Sequence, residues 1–247
     1  MKHNILTLLL ISISIFTNGG LIAQNISAKF SDKEITVDGE LNEDIWKHAE
    51  SAGNFIQFFP TDSLFANHKT TFKIVYTNTT LYVGVYAEAP NNNFVVTSLK
   101  RDFSGVRNDN VTIMFDTFND GSNAFGFGIT PYGVRREFLV SSGGSARENY
   151  NFTWDVKWKG ESKIYDTYFT AEMAIPLTSL KFKEGATKWR VKPYRFNIQT
   201  NETSTWIQTP QTQLLGNLAF MGDLNFEKPL GKSRTPLAII PYVNTLT

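Results

Sequence analysis

Apolar and polar residues alternate with a period of two along most of this chain. Phe72, Ile74 and Tyr76 share one face, with Lys73 and Thr77 opposite, which predicts a half-buried strand. "LYVGVYAE", residues 81–88, is apolar on both faces and predicts a central strand. "NVTIMFDTF" puts Val111, Ile113 and Phe115 on one side, "NDGSN" (119–123) reads as a hairpin loop, and "AFGFGI" returns. "PYG" turns the chain before "VRREFLV", and the long loop "SSGGSARENYN" (141–151) follows. In "WDVKW", Trp154, Val156 and Trp158 face one way, with Asp155, Lys157 and Lys159 the other. "YFTAEMAI" stops at Pro176, and "KWRVKPYRFNIQT" slips phase at Pro193, as an edge strand or a bulge requires. "STWIQ" and "LAFMGDLNF" complete the set. Short strands with regular turn signals and almost no helix predict an all-β, antiparallel, jelly-roll-like β-sandwich.

One stretch departs from this pattern. In "ITVDGELNEDIWKHAE" a β-type run, residues 35–37, stops at Asp38-Gly39, and a short helix runs through Trp46 to Ala49 with Asn42 as its cap. The expected role is a plug at one end of the sandwich, with Ile45 or Trp46 entering the core. Trp154, Trp158 and Trp189 are assigned to the core as well, from the apolar faces they share.

The two ends of the chain read differently from its middle. Lys2 and His3 precede an apolar run (5–16), and a small residue, Ala23, precedes polar Gln24. That pattern predicts a secretory signal peptide, residues 1–23, from a run too short for a spanning helix. The sandwich is expected over residues 24–228. After Pro229, "GKSRTP" reads as a linker, and "LAIIPYVNTL" as either the first strand of a truncated membrane barrel or a last strand or tail. The expected location is therefore outside the cytoplasm: periplasm, outer membrane or cell surface.

Composition narrows the function. With 24 Lys+Arg against 23 Asp+Glu, the chain lacks the positive excess of a nucleic-acid binder. Cys is absent, so neither a disulfide framework nor a thiol nucleophile is available. Asp38, Glu40 and Asp44 are read as turn and helix-start residues rather than an acid–base pair. His48 and His68 have no metalloprotease spacing, and no catalytic constellation is found. Two clusters keep a functional reading. Trp206, in "STWIQ" between polar neighbours and near Gln199 and Glu202, is either an exposed stacking platform for a ligand or an edge-strand packer. Asp116, Asn119, Asp120 and Asn123 put several oxygens into one loop, which suits either calcium or a turn.

The order of these motifs resembles the family 9 carbohydrate-binding module. The resemblance rests on the strand, Asp-Gly-Glu and short Trp-bearing helix at 35–50, on "LYVGVYAE", "DNVTIMFD" and "YFTAEMAIPLTSLKF", and on "RFNIQTNE" and "GNLAFMGDLNF". It implies a β-sandwich that binds a glycan or oligosaccharide, often as part of a glycan-degrading protein and often with structural calcium. It also implies a sugar gripped between two tryptophan faces, with amide and charged groups on the hydroxyls. Gln199 matches an amide position of that site. The first tryptophan position, three residues before Asp109, is Val106 here, and the second falls in "TQLLGNLAF", which holds no aromatic before Phe220. "FIQFFP", "RDFSGVRND", "DTFNDGSNAFGFGITPYGVR" and "WDVKW" are similar to the modules at the N-terminus of Gram-negative outer-membrane β-barrel proteins. That similarity implies either a glycan-binding module or a docking domain without a sugar site.

Overall fold

The computed structural model describes residues 24–232. The signal peptide expected at 1–23 and the strand or tail expected at 237–246 lie outside the described residues. In chain order the elements are β1 (Asn25–Phe30), α1 (Asp44–His48), β2 (Ile56–Phe59), β3 (Thr70–Tyr76), β4 (Thr80–Glu88), β5 (Asn110–Asp116) and β6 (Ala124–Ile129). There follow β7 (Arg135–Val140), β8 (Tyr150–Asn151), β9 (Lys159–Ile164), β10 (Tyr168–Pro176), β11 (Lys188–Asn197), β12 (Glu202–Thr205) and β13 (Gly222–Phe226).

Two sheets face each other. One runs β8-β7-β6-β5-β11-β13 and the other β3-β4-β10-β9, and β1 joins them. Residues 25–28 pair with β13 and residues 29 and 30 with β3, both in parallel, so the sandwich is mixed rather than wholly antiparallel. β4 lies between β3 and β10, which accounts for its two apolar faces. The main core lies between the sheets, where Phe72, Ile74, Val83, Val85 and Met173 meet Ile113, Phe115, Phe127, Trp189, Val191 and Leu224. The packed chain reaches Leu230, which is buried and exchanges backbone hydrogen bonds with Gly185 and Ala186.

β11 is neither the edge strand nor the bulge expected at Pro193. It pairs with β5 in unbroken register along one side, and with β13 and then β12 along the other. Pro193 falls where β13 has ended and β12 has not begun, a position where a missing N–H leaves no ladder bond unmade. The apparent phase slip arises because both faces of β11 are covered. Trp189 and Val191 enter the main core, while Tyr194 and Phe196 enter a separate cluster on the outer face with Met114, Phe138, Val140 and Leu218.

The segment before and through α1 packs against the outer face of β3, β4 and β10, not at an end of the sandwich. Residues 35–37 form no strand. Ile35, Trp46 and Ala49 bury against Val75, Tyr82 and Ala174. The indole lies over Gly84, where an added Cβ would sit 3.1 Å from the ring. Trp46 Nε1 donates to Glu172 Oε1 (2.9 Å), and the backbone N–H groups of Asp38 and Gly39 donate to Glu172 Oε2 (3.0 and 3.1 Å). Gly39 has φ +87°, and an added Cβ would lie 2.7 Å from the backbone carbon of Ser162, so both the turn and the close approach require glycine. The helix cap is Glu43, without a side-chain bond; Asn42 donates to Glu40 instead.

Candidate functional site

The outer face of the β8-β7-β6-β5-β11 sheet carries a groove. Its floor follows from register. Tyr194 pairs with Thr112, Thr112 with Gly128, and Gly128 with Arg136, so these four outward residues form one row across β11, β5, β6 and β7. Met114, Gly126 and Phe138 form the next row. The glycines at alternate positions of β6 leave a trough. An added Cβ at Gly128 would lie 2.7 Å from Thr112 Oγ1 and 2.9 Å from Arg136 Nε, and one at Gly126 would strike the Phe138 ring. The long Arg136 side chain therefore lies flat across β6 and reaches β5 and β11.

Arg136 Nη2 donates to Thr112 Oγ1 (3.0 Å) and to the Tyr194 hydroxyl (3.2 Å), while its Nε has no hydrogen-bond partner. The guanidinium carbon lies 5.3 Å from the ring centres of both Phe103 and Phe138. Thr112 in turn donates to Asn110 Oδ1 (3.0 Å). Burial pulls the Arg136 pKa down and pushes that of Tyr194 up.

Three loops wall the groove: residues 102–106, residues 147–152 and residues 214–216. The cavity between them measures about 610 Å³, within the usual range for a small-ligand site. Phe152 is 54% exposed, lies parallel to Tyr150 and packs on Phe138. Tyr150 donates to Gly144 O (2.9 Å), which ties it to the loop before β8. The 206–221 loop is held in turn by buried Lys192, whose Nζ donates to Thr209 Oγ1 (2.9 Å) and Asn217 O (3.4 Å). Val106, 65% exposed, and Leu214 and Leu215 line the same groove. Those are the places where the resemblance calls for the two gripping tryptophans, so the fold brings them together with aliphatic side chains in their stead.

The ligand residues expected from the sequence do not converge here. Trp206 is not an exposed platform: it is 3% exposed and meets Phe72 edge-on, 5.1 Å between ring centres. Its polar neighbours misled, because Thr205 Oγ1 and the Trp206 N–H are both satisfied by Pro193 O. Glu202 is buried and accepts from Gln57 Nε2 (2.9 Å) and from Asn67 N and Nδ2 (3.2 and 2.6 Å). Gln199 Nε2 donates to Asn91 Oδ1 (2.7 Å) and Asn93 O (2.9 Å), pinning a loop. With Asp109 and buried Arg195, these groups form a structural polar network away from the groove.

The proposed metal loop is a turn. Asp116 is fully buried and accepts the N–H groups of Phe118 (3.2 Å), Asp120 (3.4 Å) and Gly121 (2.8 Å), with Arg190 3.9 Å away. Asp120 accepts from Ser122 N (2.8 Å), Asn119 supplies a left-handed residue (φ 56°), and Asn123 is exposed. Carboxylates already aimed at N–H donors do not fit a calcium ion, and among the described residues no three acidic or histidine side chains cluster.

The Carbohydrate family 9 binding domain-like family matches residues 37–212, most of the chain and every wall of the groove except 214–216. The chain belongs to this family. Solved structures share the fold. A putative carbohydrate-binding protein from Bacteroides uniformis superposes with a TM-score of 0.65 at 13% identity, covering 83% of this chain and 99% of its own. A family 9 carbohydrate-binding module from Caldicellulosiruptor kristjanssonii in complex with cellotriose gives 0.59 at 15%, covering 89% and 100%. A family 9 module from the same organism in complex with glucose gives 0.55 at 17%, covering 85% and 97%. No curated protein matches the chain. This family 9 chain thus shares the sandwich of these structures and carries a groove on its own outer face.

Proposed function

We propose that the groove floored by Arg136 binds a carbohydrate, and that the chain is the binding module of an exported, envelope-associated protein of glycan capture or polysaccharide breakdown. The observation that carries this reading is the groove itself. Apolar sugar faces pack on aromatic and aliphatic walls such as Phe152, Val106 and Leu214, while hydroxyls take hydrogen bonds from a fixed donor such as Arg136. The cellotriose and glucose complexes of the related modules support the ligand class. Export rests on the N-terminal sequence pattern alone.

The groove is suited to binding rather than hydrolysis. Cleaving a glycosidic bond takes two free carboxyl groups facing one bond. Of the two acids that line the groove, Asp102 is exposed, but Glu137 points to the other face, where it accepts from Trp158 Nε1 (2.9 Å) and pairs with Arg101. A second reading, a docking domain on an outer-membrane barrel, is favoured by the aliphatic residues at the two tryptophan positions.

Calorimetry with glucose and cellotriose separates the two. Binding is expected, weakened about tenfold by Phe152→Ala, the loss of one exposed stacking ring. Silence toward these and a broader glycan panel would favour docking.

A further inference from the structure

The charge on the groove floor lacks a counter-charge. Arg136 is only 6% exposed, yet both groups that accept from it, Thr112 and Tyr194, are neutral hydroxyls. Arg135 donates to Trp158 O, and buried Arg195 donates to Thr70 Oγ1 and Glu88 O with the carboxylates of Asp109, Glu202 and Glu88 nearby. Arg101 pairs with Glu137 and Asp155, and Arg190 with Asp116. A buried cation without an anionic partner is costly to keep. Here the cost is taken at the floor of an open groove, with Nε unpartnered. Arg147 adds an exposed positive charge at the rim, Asp102 is the exposed acid that lines the groove, and exposed Glu148 follows Arg147 on the same loop.

We propose that the groove selects a sugar unit carrying an anionic group, a carboxylate or a sulfate, which supplies the missing counter-charge to Arg136 with Arg147 at the rim. This rests on the carbohydrate reading and narrows it. A planar guanidinium matches a carboxylate or a sulfate by paired, charge-assisted N–H donors, and a neutral hydroxyl offers half of that match. The ring of the sugar packs on Phe152 and the aliphatic wall while the acid points to the floor.

The test is calorimetry of the full chain with glucose, glucuronate, glucose 6-sulfate and, as a bare anion, acetate, at low and high salt. Glucuronate, glucose 6-sulfate or both are expected to bind about tenfold tighter than glucose, with the advantage shrinking as salt rises. Whichever acid wins identifies the group. Arg147→Ala is expected to reduce the advantage, and Arg136→Met to abolish it while the melting temperature shows the variant folded. If Arg136→Met unfolds, the Arg147→Ala result decides. Equal binding of acidic and neutral sugars overturns this inference and leaves the carbohydrate reading standing. Acetate binding as tightly as glucuronate overturns it too, since the sugar would then contribute nothing. An acidic advantage unmoved by the deciding variant places it elsewhere and overturns the assignment to this groove. Silence toward every sugar removes both readings.

Discussion

Trp46→Ala is expected to destabilise the protein by about 3–5 kcal/mol, lowering the melting temperature by roughly 10–15 °C, without changing ligand binding. The ring is the largest side chain in the cluster on the outer face of β3, β4 and β10, and it is fully buried. Truncation leaves a cavity over Gly84, whose own lack of a Cβ made room for the indole. It also removes one of three donors to Glu172, leaving that buried carboxyl partly unsatisfied. The Arg136 groove lies on the outer face of the opposite sheet, so the two effects separate. Thermal unfolding and calorimetry on one preparation check both. A variant that melted like the wild type would contradict the packing described here.

The second large effect is on pH dependence. Burial pushes the Glu172 carboxyl up to about 7, nearby Glu43 pushes the same way, and the three N–H donors restrain the rise. In the unfolded chain the group titrates near the ordinary glutamate value, so the folded state holds its proton over a range where the unfolded state has released it. A carboxyl raised on folding contributes stability that is complete below the unfolded pKa and is lost as pH rises through about 7. Between about pH 5 and pH 8.5 this amounts to about 2–3 kcal/mol. Glu172→Gln is expected to flatten that slope. The absolute stability of the variant falls as well, because its amide nitrogen must face an N–H donor; the readout is the slope. Urea unfolding across this range measures it, and equal slopes for the two proteins would contradict the assignment.

The strands were the legible part of this chain. Alternation located β3, the two apolar faces of "LYVGVYAE" marked β4 as central, and Asn-Asp-Gly-Ser marked the β5–β6 hairpin. Three features were not legible, each for a physical reason. α1 has five residues, and nothing in so short a pattern distinguishes a plug at the end of a sandwich from a cover on its outer face. Trp206 sits among Ser and Thr, which read as solvent-facing, yet Ser204 and Thr205 are buried and the Thr205 hydroxyl is satisfied within the sheet. Arg136 stands at an outward position of "RREFLV", where alternation reads a charge as solvated. Its signal lies on the neighbouring strand, in the two outward glycines of "AFGFGI", which announce that something long lies across them. Val106 and the 214–215 pair were singled out only through the family resemblance, and their convergence on one groove depends on loops that no periodicity describes.

The most direct measurement is amide chemical-shift mapping during a titration with cellotriose, repeated with a glucuronate-containing oligosaccharide. Changes are expected to concentrate in residues 102–106, 136–138, 147–152, 194–196 and 214–216, the floor and walls of the Arg136 groove. Changes centred instead on Gln199, Glu202 and the 91–93 loop, or no changes with any glycan that binds, would contradict it.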